Sequence, residues 1–410
     1  MMKLLKTRII AILLILPFLL PLNFQCSSKI MELPHNSQEP DYWPTKMWRS
    51  SSPKEQNVNS EKLQEMYEYI NSTPLGTAGM RSILIIRNGY IIYENYFNND
   101  YNENRSYNIY SCTKSITSAL IGITIEEEFI GSVEDRVLDY FPNQVFKNLD
   151  ARKKNMTLED LLTMTSGLSW DEKNYNDPDN DFILMCGASD AVQYVLDKPM
   201  VVDPGTTWVY NGGCSHLLST IINKTTSIGT QKYAQIRLFD PLGIDAPSWT
   251  EDQKNIPNGA AHLRLTARQM AKFGFLYLNN GTWEGKQIVP ADWVTRSTQV
   301  ATSLQNEVLG YGYQWWISPY RNSYSARGYL GQYILVMPDY NLIIVFTARS
   351  NTVGYDTLIN EYIIPALGFT SPALLSDHSK NEIVSFIDLS IFFILILGFS
   401  ITIMLFHKKL

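Results

Sequence analysis

Ser111-Cys112-Thr113-Lys114-Ser115 opens an apolar-periodic segment, residues 116–125, directly after the tyrosine-rich run Ser106-Tyr107-Asn108-Ile109-Tyr110. A serine and a lysine three residues apart share a face only if the segment is helical. A serine in the first turn of a helix also sits where free backbone N–H groups and the positive dipole end converge. The stretch therefore predicts a nucleophile, an amine to take its proton and an oxyanion site within one turn. The same spacing recurs at Ser51-Ser52-Pro53-Lys54, where proline opposes a helix interior. The four residues gain weight only from the chain around them.

Upstream, residues 60–70 have helical spacing through Leu63, Met66, Tyr67 and Ile70. Residues 82–94 read as a hairpin, two β-rich runs flanking Asn88-Gly89, the favoured two-residue turn. Downstream, residues 133–142 read as loop and turn, and 156–168 as a short helix capped by Thr157 with Asp160 and stopped by Gly167. Residues 171–181 are acidic and aromatic. Helices follow at 188–196, 217–223 and 267–278, the last with Met270, Phe273 and Tyr277 on one side. After residue 310 the pattern switches to strands at 313–317, 333–337 and 342–347, with a closing helix at 355–367. Strands at both ends and helices between predict an α+β domain. One antiparallel sheet, completed by both ends of the domain, is flanked by helices and carries a helical insertion.

The chain has 410 residues, 45% of them hydrophobic, and a formal net charge of -6. With a pI near 5.5 it lacks the basic surface that nucleic acid requires. Lys3, Lys6 and Arg8 precede an apolar run at 9–22, as in a signal peptide or N-terminal anchor over residues 1–26. Cys26 offers a lipidation site after cleavage; cleavage nearby and an uncleaved anchor are the alternatives. A polar leader follows at 27–59, the domain at 60–368, and a linker at 369–385. Residues 386–406 read as a transmembrane helix, and the tail 407–410 carries Lys408 and Lys409. The positive-inside rule places both charged ends in the cytoplasm and the domain between them outside, periplasmic or at the cell surface. Cys26, Cys112, Cys186 and Cys214 show no metal spacing. Cys112 and Cys214 read either as a disulfide or as two small buried thiols. Asp177-Pro178-Asp179-Asn180-Asp181 mimics the start of a calcium loop but lacks its glycine and distal glutamate, so no metal is expected.

Several stretches carry a family resemblance in their order along the chain. They are Ser111-Cys112-Thr113-Lys114; residues 161–168, Leu-Leu-Thr-Met-Thr-Ser-Gly-Leu; residues 204–213, Pro-Gly-Thr-Thr-Trp-Val-Tyr-Asn-Gly-Gly; Asp240-Pro241-Leu242-Gly243; Leu265-Thr266-Ala267-Arg268 with Phe273-Gly274; and residues 311–316, Tyr-Gly-Tyr-Gln-Trp-Trp. Together they span roughly residues 60–368, and the chain resembles the penicillin-recognising serine hydrolases: serine β-lactamases, D-alanyl-D-alanine peptidases and their esterase and amidase relatives. It is most similar to the branch that includes 6-aminohexanoate-dimer hydrolases.

That resemblance implies the β-lactamase/transpeptidase-like fold and a set of roles. Ser111 is the nucleophile that forms an acyl-enzyme. Lys114 is its base, which requires burial because an exposed lysine is protonated at neutral pH. Tyr210 is the proton relay. The third residue of the tyrosine element usually bears an amide or hydroxyl, but here Tyr210 is followed by Asn211 and Gly212. Either Asn211 supplies the polar group from a shifted position or that contact is absent. The third family element, usually Lys-Thr-Gly or His-x-Gly, is matched by Ala326-Arg327-Gly328. Gly328 suits close backbone approach, and the Tyr329 and Ser111 N–H groups form the expected oxyanion hole. Ala326 stands where β-lactamases and D-Ala peptidases carry a carboxylate-binding cation, and strand alternation turns Arg327 away. Trp170, Tyr175, Trp208 and Tyr329 are candidates for an aromatic pocket; for Trp208 buried packing has equal standing.

The resulting expectation is a membrane-anchored, extracytoplasmic serine hydrolase without a cofactor, acting on small esters, amides or cell-wall peptides. The alternatives are a D-alanyl-D-alanine carboxypeptidase or weak β-lactamase, and a catalytically silent sensor or scaffold.

Overall fold

The computed structural model describes residues 40–73, 79–304, 309–350 and 354–369. The expected signal segment, Cys26, the linker beyond residue 369, the C-terminal membrane helix and the tail lie outside the described residues. Among the described residues no helix is long and apolar enough to cross a membrane.

In chain order, α1 spans Ser60–Ser72, β1 Met80–Arg87 and β2 Tyr90–Tyr96. They are followed by α2 (Thr113–Glu126), α3 (Leu158–Leu162), α4 (Asp181–Gly187), α5 (Ala191–Leu196), α6 (Gly212–Thr225) and α7 (Ala267–Leu278). The remaining strands of the main sheet are β3 (Thr302–Ser303), β4 (Gly310–Tyr311), β5 (Trp316–Ser318), β6 (Ser323–Gly328), β7 (Gln332–Met337) and β8 (Leu342–Ala348). These eight strands make one sheet in the order β2-β1-β8-β7-β6-β5-β4-β3, so the first and last strands of the domain are neighbours. Every pairing in it is antiparallel.

The hairpin turn forms as its sequence predicts, with Asn88 and Gly89 both at positive φ (51° and 84°). Strand β1 is apolar on both faces because both are covered. Leu84 and Ile86 join the large core beneath α2, α6 and α7. Ile83 and Ile85 join a second cluster with Leu63, Met66 and Ile70 of α1 and Leu358, Ile359 and Ile363 of the closing helical segment. Helices over each face are what allow a continuous apolar run to be a central strand.

Five local readings change. The helix read at 156–168 spans only Leu158–Leu162, and Met164 at φ 61° turns the chain before Gly167 is reached. Residues 313–317 do not form one strand. The chain turns between β4 and β5, with Gln314 at φ 64°, and the Gln314 amide donates to the Leu161 and Leu162 carbonyls (3.0 and 2.9 Å) while accepting from Ser215 Oγ (2.6 Å). These side-chain bonds override the β propensity of the aromatic run. Helix α6 starts at Gly212 rather than 217, because Asn211 Oδ1 caps it through the Cys214 N–H. Helix α5 starts at Ala191, capped by Asp190. The loop 133–142 contains a 3₁₀ turn, Val137–Tyr140.

Residues 40–58, read as polar leader, are packed as a strap. Ser51 N–H donates to the Ile91 carbonyl and Ile91 N–H to the Arg49 carbonyl, both at 3.0 Å. Trp43 and Trp48 each stand edge-on to Phe275 at 5.6 Å. Lys272 Nζ, on α7, donates to the carbonyls of Thr45, Leu242 and Gly243 at 2.8–2.9 Å.

Candidate active site

Tyr110–Cys112 forms a 3₁₀ turn that runs directly into α2. Tyr110 sits at φ 47°, and its N–H donates to Asn108 Oδ1 at 2.8 Å. This left-handed residue reverses the chain just before Ser111. Residues 113–124 of α2 are all buried, so Lys114 has no route to bulk water along the helix and is only 2% exposed. Its Nζ lies 3.1 Å from Ser111 Oγ and 3.0 Å from the Ala260 carbonyl, and 4.7 Å from the centroid of the Tyr210 ring. The Ala260 carbonyl is aimed by Asn258, whose Oδ1 accepts the Ala260 and Ala261 N–H groups (3.0 and 3.1 Å). Thr117 Oγ1 ties the same loop to α2 through the Gly259 carbonyl at 2.8 Å. Nearby His262 is held below the ordinary imidazole range by burial and by the Lys114 charge, and its Nδ1 lies 3.0 Å from Asn108 Nδ2.

Tyr210 ends the loop before α6, its ring stacked on Trp316 (6.1 Å, 29°) and tilted against Trp208 (6.1 Å, 44°). Burial raises its phenol above the ordinary value. The neighbouring Lys114 opposes that shift, Glu172 adds to it, and hydrogen bonds with Ser111 and Lys114 oppose it again. Tyr210 is therefore a neutral phenol at neutral pH. Asn211 is fully buried, with its oxygen used by the α6 cap; its Nδ2 has no protein partner. This is the placement of a helix cap rather than of a group presented to substrate. Gly212 donates its N–H to Glu172 Oε2 at 2.6 Å.

Strand β6 delivers the opposite wall. A Cβ on Gly328 would stand 2.3 Å from the Ile109 carbonyl. Glycine thus lets the strand end abut the turn that carries Ser111. Tyr329 follows, its ring edge-on to Tyr110 at 5.8 Å. The turn behind it is held by Gln332 Nε2, which donates to the Tyr329, Leu330 and Ala348 carbonyls (3.3, 3.2 and 2.7 Å). Ala326 is buried in the core beneath α2. The Arg327 guanidinium lies over Tyr333 and over Trp316, the ring that stacks on Tyr210 (5.3 and 5.2 Å), and its Nε donates to Ser325 Oγ.

The aromatic candidates divide. Tyr175 meets Tyr329 at 5.0 Å, beside the expected oxyanion donor. Trp170 is buried and donates Nε1 to Glu172 Oε2 at 2.8 Å. Trp208 packs among Tyr210, Tyr311 and Trp316. Glu172 was missed by sequence reasoning, as were Asn258, His262 and Gln332; its only signal was a place in the acidic, aromatic stretch. Cys112 and Cys214 are both free and buried.

The beta-lactamase family model matches residues 75–374. An uncharacterized protein of Alkalihalophilus pseudofirmus is 23% identical over 322 residues, 68% of this chain and 86% of its own. A candidate 6-aminohexanoate-dimer hydrolase from Bacillus anthracis superposes with TM-score 0.63 at 25% identity, covering 73% of this chain and 81% of that one. EstCE1, a hydrolase with promiscuous acyltransferase activity, superposes with TM-score 0.63 at 14% identity, covering 77% and 100%. At that identity the likeness shows the fold alone.

Proposed function

We propose that this chain, which belongs to the beta-lactamase family and is a hydrolase, forms an acyl-enzyme on Ser111 from small esters or amides. The observation that carries this is the buried contact of Lys114 Nζ with Ser111 Oγ at 3.1 Å, with the Tyr210 ring beside it. Ser111 Oγ attacks the carbonyl carbon as its proton passes to Lys114. The tetrahedral oxyanion is met by the N–H groups of Ser111 and Tyr329, and losing one such donor typically costs about 10²- to 10³-fold. The intermediate collapses, and the leaving alkoxide or amine takes a proton through Tyr210. Water then attacks the acyl carbonyl by the reverse relay and frees Ser111.

Esters and amides are favoured over penicillins and D-Ala peptides because Ala326 supplies no cation at the position where those enzymes carry one. An intact Ser111, Lys114 and Tyr210 weighs against a silent sensor. The basic and apolar N-terminus and the apolar run before Lys408 support a membrane-anchored enzyme with its domain outside the cytoplasm. The test is mass spectrometry of the protein after exposure to an ester, amide and β-lactam panel. An acyl adduct on Ser111 from esters or amides supports the reading. Adducts from β-lactams alone would redirect it to penicillin recognition, and no adduct at Ser111 from any class would sink it.

A further inference from the structure

We infer that Glu172 is a positioning residue of this site: its carboxylate fills the place beside Gly212, two residues beyond Tyr210, and anchors Tyr175 against Tyr329. The inference rests on the acyl-transfer reading above. Glu172 is only 7% exposed and accepts three hydrogen bonds. Trp170 Nε1 and Gly212 N–H donate to Oε2 (2.8 and 2.6 Å), and the Tyr175 hydroxyl donates to Oε1 (2.7 Å). A buried carboxylate is costly unless paired or hydrogen-bonded, and here the donors come from its own loop and from the first turn of α6, whose dipole favours an anion.

Gly212 is what makes room. A Cβ there would stand 2.9 Å from Glu172 Oε2 and 2.6 Å from the Phe182 ring. Two residues after the relay tyrosine, the chain thus carries no side chain of its own and receives a carboxylate from a separate loop. That carboxylate lies close enough to raise both Tyr210 and Tyr175, adding to burial in each. The other ionisable groups facing this cluster are Lys114 from α2, Tyr311 from β4, Cys214 from α6, Cys186 from α4 and Tyr329 from the β6–β7 turn. Burial raises Tyr311, Cys214 and Cys186, so at neutral pH they are uncharged. Glu172 therefore acts on the chemistry through Tyr210. An adjacent anion disfavours the phenolate and keeps Tyr210 able to give a proton to the leaving group.

The test is the pH dependence of fluorophosphonate labelling of the full-length chain, read as a second-order rate constant up to the alkaline limb. In Glu172→Gln the adjacent anion is gone, so the alkaline limb moves down by about one pH unit. In Tyr175→Phe the carboxylate loses one donor and faces Tyr210 less compensated, so the limb moves up. A merely structural role would lower rates and leave the limb in place. An unmoved limb in Glu172→Gln overturns the inference whatever the loss of rate. If that variant does not fold, an unmoved limb in Tyr175→Phe does the same. Ser111→Ala separates the two claims. Labelling that persists there overturns the acyl-transfer reading itself, whereas loss of labelling there with an unmoved limb in the Glu172 variant overturns only the role of Glu172.

Discussion

On one side of the candidate site, Ser111 and Lys114 ride into and along α2, a helix buried through residues 113–124. On the other, Trp170, Glu172 and Tyr175 sit in a connecting loop laid against the first turn of α6 and the side chains of α4 and α5. The first wall is held by the backbone hydrogen bonds of a helix and by close packing of its buried side chains. The second is held by one carboxylate that gathers three donors. A helix places side chains by spacing, and a loop places them by satisfying a buried polar group. The first arrangement tolerates polar substitution at its tip; the second depends on each donor.

Changes at the helical wall should have the largest effects on chemistry and the smallest on folding. Ser111→Ala removes the nucleophile at a position that needs only a small side chain. Covalent labelling by an activated ester should vanish while the melting temperature stays near wild type, and a labelled variant would break the comparison at its base. Tyr210→Phe keeps the stack on Trp316 and loses the relay, so the labelling rate should fall by about 10²- to 10⁴-fold. Gly328→Ala tests the strand that closes the site from behind. Its Cβ would press the Ile109 carbonyl, displacing the Tyr329 N–H and lowering the rate by about 10²-fold. Trp170→Phe belongs to the loop wall and should reverse the pattern. Loss of one donor to a charged acceptor costs about 2 kcal/mol of stability, seen as a lower melting temperature, while labelling at neutral pH stays close to wild type.

The same contrast separates what could be read in the sequence from what could not. Ser111 and Lys114 were legible because helical periodicity puts them on one face, and the hairpin because Asn88-Gly89 has one favoured turn. Tyr210 and Tyr329 were reached through ordered motifs shared with a family. Glu172, Asn258 and Gln332 were not reachable, since each acts largely through backbone N–H or C=O groups, which no side-chain pattern reports. Residues 313–317 were misread because aromatic and branched residues favour strands, and the bonds that bend them come from the amide of Gln314 itself. The strap at 40–58 looked like linker because its polar composition hides Trp43 and Trp48, the two residues that dock it on Phe275.

The adjacency of β1 and β8 bears on how the enzyme comes into being. Leu84 pairs with Val345 and Ile85 with Ile344, so the centre of the sheet joins residues from opposite ends of the domain. Pairings this distant in sequence form late and slowly, and a chain emerging N-terminus first must hold its hairpin unpaired on that edge until the last strand arrives. Strand β6, which presents Tyr329, hangs from β7 and through it from β8. Ser111 is thus synthesised long before the strand that faces it can be locked in place, and a prematurely terminated chain would carry the nucleophile without the means to use it.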